Sequence, residues 1–171
     1  VANSRGSVIP VYINDLLNRR TLQVTDPEVT RFITEIPEAV KFIIKATEYA
    51  QGGEIFIQKM KAFKLGDLVN VILNRISSRL NIPKGDIKVY VTGLIAGEKL
   101  YEELMNDTEA TRMFELDDMY VIFPNTETYA RYPTINKANL SRYASNEVEL
   151  LTREQIEKIV IAYLKDYLIG L

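Results

Sequence analysis

NIPKGDIKVYVTGLIAGEKLYEEL, residues 81–104, is the stretch on which the fold class turns. Its centre, IKVYVTG (87–93), is rich in β-branched and aromatic residues and follows the breaker NIPKGD, the pattern of a strand. Two glycines then bracket a small apolar tripeptide (GLIAG, 93–97), and a run of charged helix formers follows. That run predicts a helix from Gly97 to about Met105, with Glu98 and Lys99 in its first turn. A strand passing through a glycine loop into a helix is half of a βα unit, so an α/β domain with some parallel pairing is expected. Free N–H groups at such a helix start favour negative charge, which makes GLIAGEKL a candidate anion site. The competing reading is that Glu98 merely stabilises the helix dipole.

The flanks agree with this class. Upstream, SVIPVYI (7–13) reads as a β-prone run, NDLLNRR as a helical turn, and TLQVTD (21–26) as a short strand. Pro37 fits only a first turn and starts a helix to Ala50, with Val40, Ile43, Ile44 and Thr47 as its buried stripe. QGG (51–53) stops that helix, and EIFI (54–57) reads as a buried strand. A helix over about 65–80 carries Leu65, Leu68, Val69, Ile72, Leu73, Ile76 and Leu80 on one face. Downstream, MFEL and MYVIFP are extended, and residues 124–150 form a long polar loop rich in turn residues. The last helix, 152–169, opens on a Thr152–Gln155 capping box and a Leu151–Ile156 staple. Its apolar stripe is Ile156, Ile159, Val160, Tyr163, Leu164, Tyr167 and Leu168.

The totals narrow the chemistry. The 171 residues make one domain with enough apolar sequence for a core, at 47% hydrophobic and 26% charged. The net charge of −2 carries no nucleic-acid footprint, and no apolar run reaches the roughly 18 residues of a membrane span. There is no Cys and no His, which removes thiolate chemistry, the commonest general base and the commonest metal ligand. No G-x-G-x-x-G or P-loop pattern occurs. The missing Cys fits a cytoplasmic protein. The opening VANSRGSVIP, without an initiator Met or a structural start signal, reads as a fragment.

Two further stretches stand out. NSRGSVIP gathers Asn3, Ser4, Arg5 and Ser7 around Gly6, a backbone-exposing turn able to cradle an anion or simply to enter a strand. TDPEVTRF sets Arg31 among apolar neighbours, where a guanidinium needs an anionic partner: a ligand, or Asp26 or Glu28.

Taken in order, SRGSVIP, TDPEVTRFI–EAVKFI, QGGEIFI–K, DLV, GLxxGEKLYEEL and ELDDMYVIFP resemble the C-terminal half of nucleotide-sugar 4,6-dehydratases. These are extended short-chain dehydrogenase/reductases of the polysaccharide-biosynthesis type that act on UDP-N-acetylglucosamine or close relatives. The likeness runs over about residues 1–124, and more loosely through SRYASNEVELLT to the final helix. It implies the substrate-binding part of a Rossmann-like fold, lacking the N-terminal half that carries the NAD(P) fingerprint and the Tyr-x-x-x-Lys pair. The resemblance places Asn3, Ser4, Arg5 and Ser7 at the sugar-diphosphate, Arg31 at a phosphate, Lys59 near the nucleotide and Glu98 at the ribose or uracil end. It implies NAD(P) in the parent enzyme and none bound by this chain alone, a UDP-sugar substrate, a homo-oligomer, and no catalysis by this chain alone. The sequence departs from the family at Ile95-Ala96, where an arginine-containing pair is usual, at Gln58 for a proline, and at Asn18-Arg19-Arg20 for a glycine turn. Arg19 or Arg20 is then a candidate for the missing charge. Epimerases of the same superfamily share this half, and a non-catalytic binding module built on the fold is the alternative from another class.

Overall fold

The computed structural model describes residues 1–4, 6–132 and 135–169. Arg5 therefore lies outside the described residues. Turns at 2–3 and 6–7 lead into helix α1 (Val8–Arg19), where a strand was expected. Ile9, Tyr12, Ile13 and Leu16 are buried at helical spacing, and this stripe outweighs the local β propensity. Pro10 is tolerated because it falls in the first turn, where its missing N–H has no partner to lose.

Strand β1 (Thr21–Val24) and strand β2 (Thr30–Ile33) follow, then helix α2 (Ile36–Tyr49). Pro37 sits in the first turn of α2, and Glu35 and Glu38 close a capping box around it. Strands β3 (Ile55–Gln58) and β4 (Lys61–Lys64) lead into α3 (Leu65–Val71). The expected helix over 65–80 does form, but it widens into a π turn at Ile72–Ile76 before ending in α4 (Ser77–Arg79). Strand β5 (Lys88–Val91) is the strand read at 87–93.

The helix expected after it is absent. Gly97 lies at φ 87, and the chain runs extended into β6 (Glu103–Met105). Long-range bonds hold it there: Thr30 N–H donates to Leu100 O at 2.8 Å, and Glu102 N–H to Ser145 Oγ at 2.9 Å. Those ties replace the intrahelical ladder that the helix formers favour, a case of tertiary context overriding propensity. The remaining elements are α5 (Asp107–Ala110), β7 (Met113–Leu116), β8 (Met119–Ile122), α6 (Thr126–Tyr129), β9 (Asn136–Lys137), β10 (Tyr143–Ala144) and α7 (Arg153–Ile169). The last three short elements and α5 give the 107–150 region some order of its own.

Two bodies of packing result. In the first, α1, α3 and α7 bury Leu16, Leu22, Leu68, Ile72, Ile76 and Val160 around β1. There β1 pairs with β5 in parallel, Thr21 opposite Lys88. In the second, an antiparallel sheet in the order β3-β8-β7-β9 has apolar residues on both faces. The antiparallel pair β2–β4 joins the two, with Phe63 in the first core and Phe32 packed against the second. Helix α7 begins on the expected capping box, with Thr152 N–H donating to Gln155 Oε1 at 2.9 Å and Gln155 N–H to Thr152 Oγ1 at 3.3 Å. Arg75 clamps its first turns through Glu154 and Glu157.

The stripe expected to be buried on α2 faces outward. Val40, Ile43 and Ile44 are 48%, 61% and 56% exposed, and Ile36 is 57% exposed. Phe42 and Tyr49, seven residues apart, take the inward face against Met119, Val121 and Phe123. Two apolar faces compete on this helix, and the aromatic one wins the sheet because it buries more area.

Candidate functional site

Strand β2 is the spine of the site, because the three stretches singled out in the sequence all meet it. At its far end, Ala2 N–H donates to Thr34 O at 2.7 Å, which seats the N-terminal turn beside the strand. Asn3 lies in that turn at φ 60 and donates through Nδ2 to Ile159 O of α7 at 3.3 Å. Its Oδ1 and the Ser7 Oγ are buried atoms with no hydrogen-bond partner among the described residues. Such atoms cost free energy unless something arrives to satisfy them. Ser4 is spent locally, its Oγ donating to Val1 O at 2.9 Å.

Thr34 and Ile159 also line an open groove of about 830 Å³ between α2, α7 and the turn from β3 to β4. Five lysines border it: Lys41, Lys45, Lys59, Lys61 and Lys158. Lys45 pairs with Asp118 at 2.7 Å and Asp117 at 3.3 Å, and Lys61 with Glu149 at 2.6 Å. Lys59 is held by Glu115 and by Asp117 O at 2.7 Å, with its ammonium over the Tyr120 ring. Lys41 and Lys158 have no ion-pair partner among the described residues, and Glu35 and Glu38 line the same groove, so its charge is mixed.

At the middle of β2, Arg31 turns to a different corner. Its Nη2 meets Glu98 Oε1 at 3.2 Å, its Nη1 donates to Thr30 O at 2.9 Å, and its Nε faces Glu102 Oε1 at 3.8 Å. Asp26 and Glu28, the intramolecular partners considered from the sequence, are engaged elsewhere: Asp26 Oδ1 accepts from Glu28 N–H, and Glu28 pairs with Lys64. Glu98 also accepts from Thr25 Oγ1 at 3.0 Å. This carboxylate and burial together act on Tyr12 of α1, whose phenol is pushed up to about 12, burial being the larger cause. Tyr12 thus stays a neutral O–H donor beside the corner.

The structure therefore brings Arg31 and Glu98 together, bonds Asn3 to α7 in a turn that Ala2 seats on Thr34 just past β2, and places Lys59 on the groove. Arg19 and Arg20 are spent at the end of α1, on Asp15 at 3.4 Å and on Leu16 O at 3.2 Å. Sequence reasoning missed Thr25, Glu102 and Ser145. Ser145 is fully buried and links Thr30 Oγ1 at 2.9 Å to the Glu102 N–H, while Glu102 Oε2 accepts from Phe32 N–H at 2.9 Å. Nothing local marks these residues, since each acts across more than forty positions. Ile95, 69% exposed, stands at the tip of the loop above them.

The α/β body with its small parallel pair and open antiparallel sheet is the C-terminal part of an extended short-chain dehydrogenase/reductase fold. The match to known proteins is specific: the profile of the polysaccharide biosynthesis protein family covers residues 1–124, and the chain belongs to that family. A Methanocaldococcus jannaschii protein named as an uncharacterized membrane protein is 38% identical over 166 residues, 96% of this chain and 48% of the relative. The capsular polysaccharide biosynthesis protein CapD of Staphylococcus aureus is 35% identical over 91% of this chain and 23% of its own length. A Rickettsia bellii UDP-glucose 4-epimerase is 30% identical over 94% of this chain and 47% of its own. Among solved structures, Pen from Bacillus thuringiensis superposes with a TM-score of 0.81 at 31% identity, covering 95% of this chain and 47% of that one. The chain thus spans about half the length, or less, of the relatives it matches. No helix among the described residues is long and apolar enough to cross a membrane.

Proposed function

We propose that this chain is the substrate-binding part of an NAD(P)-dependent enzyme that remodels the hexose of a UDP-sugar for polysaccharide or glycan synthesis. The reaction we assign is 4,6-dehydration of UDP-N-acetylglucosamine or a close relative. What supports the reading is the pairing of Arg31 with Glu98 across 67 positions, and the seating of the N-terminal turn by Ala2 on Thr34 just past β2, in a chain of this family. Asn3, Ser4, Arg5 and Ser7 are assigned to the sugar-diphosphate, Arg31 to a phosphate, Lys59 to a place near the nucleotide, and Glu98 to its ribose or uracil end. Orphaned buried polar atoms at Asn3 and Ser7 fit a hydroxyl-rich ligand.

When bound, NAD(P) supplies a hydride acceptor for the sugar. The residues of this chain do not fit that cofactor: the sequence has no G-x-G-x-x-G, and β5, paired in parallel with β1, runs into a loop rather than a helix. In this reading other protein holds the cofactor and the catalytic acid and base. This chain binds and orients the nucleotide-sugar, which is the larger part of aligning sugar and cofactor. The free edge of β3 and the exposed apolar face of α2 support a working form with more protein packed here, including a homo-oligomer. A cytoplasmic site of action follows from the soluble substrate proposed.

The names of the epimerase relatives favour a second reading, 4-epimerisation of a UDP-hexose. Mass analysis of the product formed by an enzyme containing this chain separates the two, because dehydration loses one water and epimerisation leaves the mass unchanged. Binding is tested by thermal shift with UDP-sugars at millimolar concentration. A raised melting temperature is expected, since a ligand bound only to the folded state stabilises it. An unchanged melting temperature would favour the non-catalytic module instead.

A further inference from the structure

The loop 93–97 is held in place by one side chain. Gly93 and Gly97, at φ 79 and 87, bracket it, and a Cβ built on either meets nothing within 4 Å. Residues 93–97 are all exposed, so packing holds the loop only weakly. Thr92 N–H donates to Val24 O at 2.9 Å, and the next tie to the body of the protein among the described residues is the Glu98 carboxylate. That carboxylate accepts from Thr25 at the end of β1, from Arg31 on β2, and from the loop's own Ile95 N–H at 3.4 Å. Arg31 is committed on each nitrogen, Nη1 to Thr30 O, Nη2 to Glu98 and Nε facing Glu102 at 3.8 Å, so its charge is already paired with two carboxylates. Both partners are mostly buried, at 23% and 20% side-chain exposure.

We infer that Arg31 is a positioning residue, which fixes the 93–97 loop through Glu98 and does not itself grip a phosphate. This deepens the nucleotide-binding reading and rests on it, while correcting the phosphate role first assigned to Arg31. A guanidinium already neutralised by two carboxylates adds little net charge toward a diphosphate. Its loss frees the loop and leaves Glu98 without its cation, so the wall facing the nucleoside is lost rather than a phosphate contact.

The test compares wild type with Arg31→Ala, Arg31→Lys and Glu98→Gln, using backbone amide exchange at residues 93–98 and titrations with UDP and with uridine. Uridine carries no phosphate, so it separates the two roles. The inference predicts faster exchange at Ile95 and Glu98 in Arg31→Ala, and affinity for UDP and uridine falling by the same factor, about ten- to hundredfold. Glu98→Gln should behave alike, and Arg31→Lys, which keeps a cation for Glu98, should recover part of both readouts. Weaker UDP binding with unchanged uridine binding and unchanged exchange would overturn the inference in favour of a phosphate contact. If wild type binds neither ligand, the nucleotide reading itself fails, and unchanged exchange with both ligands bound removes the brace alone.

Discussion

Ser145 shows how one side chain without a local signature can hold the site's frame. Its hydroxyl sits between Thr30 and the Glu102 N–H, fully buried. Ser145→Ala strands those groups, so a loss of about 1–3 kcal/mol is expected in denaturant unfolding. Gly66 is tight for a different reason: an added Cβ lies 3.0 Å from Pro27 O and 3.1 Å from Pro27 Cβ. The Gly66 N–H donates to that same oxygen at 2.9 Å, so neither partner can retreat without losing the bond. Gly66→Ala should cost about 1–3 kcal/mol, the range of core overpacking. Tyr12 carries a spectroscopic reporter. Its folded pKa is raised to about 12, so the folded state keeps a proton that the unfolded state releases near 10. The resulting stability is present below pH 10 and drains away as pH rises toward 12. In a phenolate absorbance titration, Tyr12→Phe should remove one of the latest-titrating phenols, and loss of an early one would contradict the burial described.

Among the elements, those whose pattern is decided within one turn or one strand were legible in the sequence. Strand β5, the capped start of α7 and the Pro37 start of α2 fall there, because Pro, capping side chains and β-branched runs act over a few residues. The misreadings have long-range causes. Residues 97–105 hold strong helix formers, yet β2 and Ser145 claim their backbone. Residues 7–13 look β-prone, yet the core between β1 and α7 takes them as a helix. On α2 two apolar faces were available, and only the assembled sheet chose between them. The site followed the same division. Arg31 and Glu98 were marked by their own motifs, whereas their pairing, and the parts played by Thr25 and Glu102, appear only once β1, β2 and the loop are in place.

The helical seam yields a pH prediction. Arg75 and then Arg79 hold the Glu157 carboxyl below its ordinary range, and Arg75 does the same to Glu154. As pH falls the unfolded chain takes up these protons first, so the contribution is full above the ordinary carboxylate range and is lost as pH drops through the lower folded values. Melting temperatures between about pH 6 and 3 should fall less steeply in Arg75→Ala than in wild type. High salt should flatten the Glu154 part of the difference, because that carboxylate is 64% exposed while Glu157 is largely covered.

For the whole molecule, the exposed apolar surface and the groove fall on opposite faces of α2. Ile36, Val40, Ile43 and Ile44 form one face, while Glu38, Lys41, Phe42 and Lys45 line the groove, which adjoins Thr34 where the N-terminal turn is seated. The chain spans about half the length of its family relatives, and the role proposed for it is to bind and orient a nucleotide-sugar. Its exposed aliphatic residues also predict association. Ile43→Glu should leave the melting temperature within about 0.5 kcal/mol of wild type in free-energy terms while lowering the sedimenting mass. The most direct test of the central claim is an amide chemical-shift titration of this chain with UDP-N-acetylglucosamine. The account predicts saturable shifts concentrated at Asn3, Ser4 and Ser7, along β2 at Arg31, and through Gly93–Glu98. Shifts confined to other surfaces, or none at millimolar ligand, would contradict it.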